Sequence, residues 1–311
     1  MKFRFLVFAI PAVLPASALP MDNPPQPSPA VLVNQPWLNE YPAWDASVWV
    51  DISSEYDYRG LVLRHSWLES CSTTLNIQGA YRPAPTWELL ASWNYRSIDD
   101  GDDPWDEELQ KLHDLDGQIL HTKNETQLQL AVRKFWNNEN LSFTGGYRYT
   151  YGGFSGLMVQ ASQRGGDPCL NEFFFDIKRD VFGGASDSGS NHAYVGVTAS
   201  YAVGKLSGWW FDLYSAYRFS MCNRLDLETS LHINLASSYW NRTRVTPGNG
   251  AQSFVLQVAM PIRIGNHMEV VPFIGGNLLG EGAKKLNDKN TGAPMLRNFS
   301  IIGGAGVSYH F

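Results

Sequence analysis

The chain of 311 residues predicts an all-β fold: a transmembrane antiparallel β-barrel of about twelve strands, up-and-down in order. Three observations carry that prediction. In the stretch 298–311, Phe299, Ile301, Ala305, Val307, Tyr309 and Phe311 fall at every second position. Ser300, Gly304, Gly306, Ser308 and His310 lie between them, small or polar except at Ile302. Strict alternation means a strand with one apolar face and one wet face. Ten further segments repeat the pattern, and an eleventh is apolar on both faces. The third observation is what is missing: mean hydropathy is -0.24, and after residue 20 no apolar run approaches a membrane helix in length. A barrel escapes that test, because alternation halves the hydropathy of each spanning segment.

Composition fits the same class. Aromatic residues make up 13%, including 11 Trp and 14 Tyr, and there are 28 Gly, as two interfacial girdles of rings around a barrel require. A net charge of -6 without a basic patch argues against nucleic acid as a partner. Cys71, Cys169 and Cys222 cannot all pair, and their spacing suggests no metal site; no cofactor is expected.

The chain divides into three regions. Residues 1–18 combine Lys2 and Arg4, an apolar run from Phe5 to Leu14, and Ala16-Ser17-Ala18, the layout of a cleavable signal peptide. Residues 19–45 are Pro-rich and lack periodicity, which reads as a periplasmic arm. Residues 46–311 form the barrel. Its first strand, from Ser47, sets Val48, Val50 and Ile52 against Trp49, Asp51 and Ser53, and the alternation carries the strand to Gly60. Thr73–Tyr81 and Trp87–Arg96 come next, around the turn 82–85. The second of these opposes Trp87, Leu89, Ala91, Trp93 and Tyr95 to Glu88, Ser92, Asn94 and Arg96.

Glu125–Trp136 sets Leu128, Leu130 and Val132 against Gln127, Gln129 and Arg133, and Leu141–Tyr151 carries Arg148 on its wet face. Glu172–Lys178 alternates except at Phe174, which breaks the wet face. Ala193–Val203, Trp209–Phe219 (with Asp212 and Arg218 wet) and Leu225–Leu235 (with Glu228 and His232 wet) come next. Phe254–Arg263 alternates too. Glu269–Gly275 is apolar on both faces and leaves its orientation open. The closing strand completes twelve, an even number as a single-chain outer-membrane barrel needs. With both termini periplasmic, the outward connections (60–72, 97–124, 152–170, 204–208, 241–252, 276–297) are mostly long. The periplasmic ones (82–85, 137–140, 180–191, 220–224, 265–267) are mostly short.

Two stretches carry a family resemblance. Ser54-Glu55-Tyr56-Asp57-Tyr58-Arg59-Gly60 resembles the S-x-Y-x-F/Y-R-G signature in the first strand of the TorF-like porins. Gly208-Trp209-Trp210-Phe211-Asp212-Leu213, with the hairpin through Leu225-Asp226-Leu227-Glu228, resembles that family's G-x-Y-x-E-L strand and the hairpin after it. Trp210 and Asp212 depart from the usual Tyr and Glu, and the acidic loop after the third strand is larger than the pattern. The resemblance implies an outer-membrane barrel of porin type and brings no catalytic residues. The ending likewise resembles the C-terminal strand by which outer-membrane barrels are recognised, with Tyr309 and Phe311 as the assembly signal read by the barrel-assembly machinery.

The wet face supplies the candidate pore lining: Arg96, Arg133, Arg148, Asp212, Arg218, Glu228 and Arg263. Hairpin geometry is expected to bring Arg148 near Glu172 and Arg218 near Glu228. Arg133 and Arg263 have no sequence neighbour that must neutralise them. They are expected to stay unpaired near the periplasmic mouth and give weak anion selectivity. The acidic loop 99–116 does not fit an EF-hand, because Pro104 occupies a ligand position. It reads as a solvated surface loop, with bridging of divalent cations to lipopolysaccharide as the sharper alternative. Ser190-Asn191-His192 superficially resembles residues of outer-membrane phospholipase A, but order and surroundings do not match, and no enzyme is expected. The expected function is passive diffusion of small hydrophilic solutes through an outer-membrane porin-like barrel, in contact with outer-membrane lipid and lipopolysaccharide. A surface-exposed structural or adhesive barrel without an open pore is the alternative, and a lipid hydrolase a weaker one. Oligomeric state is left open.

Overall fold

The computed structural model describes residues 43–54, 57–58, 61–62, 71–99, 124–136, 140–152, 169–182, 191–204, 207–237, 249–284 and 297–311. The signal-peptide segment, the arm as far as residue 42, the bulk of the acidic loop and Ser190 lie outside the described residues.

Twelve antiparallel strands close on themselves: β1 Ala43–Ser53, β2 Cys71–Ala84, β3 Trp87–Asp99, β4 Asn124–Trp136, β5 Leu141–Gly152, β6 Cys169–Phe182, β7 His192–Val203, β8 Gly208–Cys222, β9 Leu225–Ser237, β10 Gly250–Ala259 with its continuation Ile262–Ile264, β11 Met268–Leu279 and β12 Phe299–His310. Each pairs with its sequence neighbour, and β1 pairs with β12 from Ser47↔His310 to Ser53↔Gly304. Closure leaves no sheet edge and satisfies the backbone within the wall, the condition for crossing hydrocarbon. The strands run from 10 to 15 residues, and all but β10 are single pieces, enough to span at a tilt.

Burial is inverted relative to a soluble protein. Leu130 is 64% exposed and Leu256 58%, whereas Arg148 and Asp212 are 0% exposed. Most polar residues of the strands face inward and most aliphatic ones outward, with Leu90, Leu170, Val255, Val271 and Ile302 among the inward exceptions. Rings mark both ends of the outer face: Trp44, Trp87, Trp136, Phe219, Tyr309 and Phe311 where the hairpins are tight, Tyr151, Phe173, Trp209 and Phe299 at the opposite end. That is the disposition of two interfacial girdles.

The first strand is shorter than its alternation suggests. It stops at Ser53, and Asp57–Tyr58 pairs with Leu61–Val62 as a separate two-residue hairpin. The sixth is longer than Glu172–Lys178, because Lys178 and Asp180 keep the inward parity while Arg179 and Val181 keep the outward one. β10 breaks at Met260-Pro261. Proline has no N–H to give the ladder, and the strand resumes only after Pro261 O accepts from Asp226 N at 3.0 Å. Gly265, at φ 72°, takes the left-handed turn position that joins this continuation to β11. The open orientation of β11 resolves with Glu269, Val271 and Phe273 inward and Ile274 outward.

Candidate functional site

Because strands in a closed barrel are tilted, residues directly opposite one another on successive strands trace rows that wind up the inner wall. Register places Glu88, Arg133, Thr144, Asp176, Thr198, Asp212, Asn234 and Ser253 on one such row, from β3 to β10. It starts near the tight-turn end of β3 and finishes near the opposite end of β10. The adjoining row holds Ala80, Leu90, Ala131, Gly146 and Phe174, a small apolar strip on the same wall. Beyond that strip lie Gln129, Arg148 and Glu172. A further row sets Asp51, Thr74, Arg96 and Glu125 side by side.

Some contacts run along the rows and others bridge one row to the next. Arg133 donates to Glu88 at 2.8 Å and to Thr144 at 3.2 Å. Arg148 donates to Glu172 at 3.3 Å and Gln129 at 3.2 Å, with its guanidinium 4.8 Å from the centre of the Phe174 ring. Arg96 donates to Thr74 at 3.2 Å. Asp176 Oδ1 accepts hydroxyls from Thr198 and Tyr214, both at 2.8 Å. Asp212 lies 3.0 Å from His232 Nδ1, and Trp210 Nε1 donates to Asn234 at 3.0 Å. Buried ions are tolerated only when matched and hydrogen-bonded, and these side chains are matched largely by cross-strand neighbours.

The densest charge lies at the tight-turn end, beside the break at Pro261, where side chains of β8, β9, β10 and β11 converge. Arg218 of β8 donates to Asp226 at 2.7 Å, lies 3.7 Å from Glu228, and reaches Glu269 of β11 at 2.9 Å. Arg263 donates to the same Asp226 oxygen and, at 3.1 Å, to Asn223 O. Elsewhere on that end, Lys178 stands 3.7 Å from Asp180 and 4.2 Å above the Tyr194 ring, and His192 Nε2 is 3.0 Å from Asp180. Arg82 lies 3.9 Å from Glu88.

Large rings also face inward, and four of them lie against glycine. Tyr214 sits opposite Gly196, Phe174 opposite Gly146 and Phe273 opposite Gly304. The Trp49 ring lies over Gly306. In each case an added Cβ would collide with the ring. The glycine lets the ring lie along the wall rather than project across the lumen. Phe174, which breaks the wet alternation in sequence, is thereby accommodated.

The structure places all seven candidate lining residues on the inner wall, with Arg96, Arg148 and Asp212 buried and Arg133, Arg218, Glu228 and Arg263 half-buried. The expected pairs Arg148–Glu172 and Arg218–Glu228 are present, although Arg218 is held more closely by Asp226 and Glu269. Unpaired Arg133 and Arg263 are corrected: register puts Arg133 opposite Glu88 and brings Arg263 onto Asp226. Sequence reasoning missed Asp226, the hub of the cluster. The signal was there, since Asp226 shares the parity of Glu228. It also missed Glu269, hidden by the apolar residues around it. Tyr309 and Phe311 face outward at the β1–β12 seam, 5.0 Å apart ring to ring, and Phe311 N donates to Ala46 O at 3.0 Å.

No family model matches the chain, and no curated protein sequence matches it. Solved structures do. An outer-membrane channel from Pseudomonas putida F1 superposes with a TM-score of 0.51 at 9% identity, over 88% of this chain and 98% of that one. The NanC porin gives 0.45 at 8% identity, and the KdgM porin in complex with disordered oligogalacturonate 0.44 at 9%; each alignment covers 86% of this chain and 99% of the other. At such identity the likeness is one of fold: this chain has the closed antiparallel barrel architecture found in outer-membrane channels.

Proposed function

We propose that this protein is an outer-membrane porin-like barrel that lets small hydrophilic solutes diffuse passively. The observation that carries the reading is the inversion of burial on a closed twelve-strand wall: aliphatic side chains exposed outside, charged and amide side chains lining the inside. An outer face of that kind is stable only in hydrocarbon. A wall of carboxylates, guanidinium groups, hydroxyls and amides suits water and polar solutes. The signal-peptide pattern at residues 1–18 supports export, and the long connections are assigned to the cell surface with the tight turns in the periplasm.

One observation favours the alternative of a structural barrel without an open pore. Ion pairs occupy inward positions, and Arg148, Asp212, Asn234 and Trp210 are closed to solvent there. Planar-bilayer recording on the purified full chain separates the two. Discrete conductance steps support the porin. A folded barrel that migrates faster on a gel before boiling than after, yet never conducts, establishes the plugged reading instead.

A further inference from the structure

Charge is nearly absent from the outer wall, and the two cations it carries stand together. We infer that the tight-turn end of β4, β5 and β6 is a docking site for an anionic phospholipid of the periplasmic leaflet. Lys134 and Arg179 hold its headgroup, and an acyl chain lies over Gly145. This rests on the membrane-barrel reading above and on its placing of the tight turns in the periplasm.

By alternation, the outward positions of the twelve strands go to apolar, small, hydroxyl and amide residues. Lys134 of β4 and Arg179 of β6 are the exceptions, with Asp99 as the last residue of β3 at the far end. A charge on a lipid-facing wall costs little only near the interface, and both cations sit there. Arg179 shares a register row with Leu141 and Trp136, and Lys134 stands opposite Trp87. β5 alone separates them: two inter-strand spacings and one two-residue step put their backbones about 12 Å apart. The carboxylates beside them turn inward, Glu88 to Arg82 and Arg133, Asp180 to Lys178 and His192. Arg179 is exposed and makes no ion pair among the described residues. Lys134 Nζ donates to Thr86 Oγ1 at 2.8 Å and lies 4.5 Å from the centre of the Trp87 ring. Those contacts use one of the ammonium's three donors and hold it at the level of the rings.

The wall on the bilayer side of the cations is shaped for a chain. Gly145 takes an outward position on β5, in register between Val132 and Phe175, with Phe143 one step nearer the cations. The rings of Phe143 and Phe175 lie 6.0 Å apart, centre to centre, and border the glycine. A Cβ built on Gly145 would lie 3.4 Å from the Phe175 ring and 3.5 Å from that of Phe143, ordinary contact distances. The space over the glycine is therefore an open furrow lined by rings. A zwitterionic lipid gains only from the furrow. An anionic one gains from the furrow and from both cations, since each Lys or Arg at the headgroup level attracts negative charge.

The test is native mass spectrometry of the purified full chain after incubation with equal amounts of dioleoylphosphatidylglycerol and dioleoylphosphatidylethanolamine. Each cation at the headgroup level favours the anionic lipid by a factor of about 5. The wild type should therefore retain phosphatidylglycerol over phosphatidylethanolamine by a ratio on the order of 20. Lys134→Gln and Arg179→Gln should each lower that ratio about fivefold, and together bring it near unity. Each single variant is read on its own, so poor assembly of the pair leaves the test intact. Gly145→Leu, which fills the furrow and leaves the charge alone, should lower retention of both lipids. A wild-type ratio near unity, a ratio indifferent to the charge substitutions, or retention indifferent to Gly145→Leu overturns the inference. Preferential capture of lipopolysaccharide, offered in a parallel incubation, overturns it as well by moving this end to the cell surface. In each of these cases a barrel that still shifts on a gel with heating leaves the membrane reading standing. A chain with no such shift overturns both.

Discussion

Removing the Glu172 carboxylate would take an ion-pair partner from the wholly buried Arg148 guanidinium, which also donates to Gln129 and lies over the Phe174 ring. Breaking a buried ion pair by removing one partner costs about 3–5 kcal/mol. Glu172→Ala should therefore lower the urea midpoint of the folded barrel far more than Glu172→Ala made together with Arg148→Met. Equal losses would mean the pair contributes nothing through its charge. At this scale the sequence was legible wherever partners lie across one hairpin, because alternation and turn position fix who stands opposite whom. Arg148–Glu172 and Arg218–Glu228 were readable for that reason. Arg263–Asp226 and Arg218–Glu269 were not, since they depend on the break at Pro261 and on a strand whose facing the pattern left ambiguous.

Among the elements, β12 and β1 do what no internal hairpin does: they join the two ends of the strand order. Their seam holds seven paired positions, and Phe311 N adds a bond to Ala46 O beyond the last of them. Phe311→Asp should lower the yield of heat-modifiable barrel in cells much more than Ser308→Asp, although Ser308 is the buried one. Similar yields would remove Tyr309 and Phe311 from assembly. The lipid face makes a second prediction. Leu231 points outward midway along β9, so Leu231→Arg should cost roughly 2–4 kcal/mol in a lipid-vesicle folding titration. Ser230→Asn, one residue away on the inner wall, should cost less. The existence of the twelve strands was legible, and so was the facing of all but β11, because both derive from a period of two, which the run of apolar residues in β11 hides. Strand ends were not, since nothing in an alternating pattern says where pairing must stop: β1 halts at Ser53 while the alternation runs on.

For the molecule as a whole, closure turns twelve marginal ribbons into one cooperative unit. The barrel should resist dodecyl sulfate until boiled, and its mobility should shift in one step on heating. A gradual shift would indicate that the wall opens strand by strand. The architecture was readable from the even count of segments and the alternation of long and short connections. The state of the lumen was not, because a side chain's parity says that it points inward and not whether it is paired there.

The glycines beneath the inner rings have a consequence for how the barrel finds its register. A strand that slips by one residue turns its polar face to the lipid and is rejected at once. A slip of two keeps each side chain on its own face, so lipid cannot detect the error. The rings can. Shifted by two, Tyr214 would meet Tyr194 or Thr198 in place of Gly196, and Phe174 would meet Thr144 or Arg148 in place of Gly146. Phe273 would meet Ile302, or else Gly306, where the Trp49 ring already lies. Each glycine thus works as a keyhole cut for one ring, proofreading pairings that the hydrophobic pattern alone would pass.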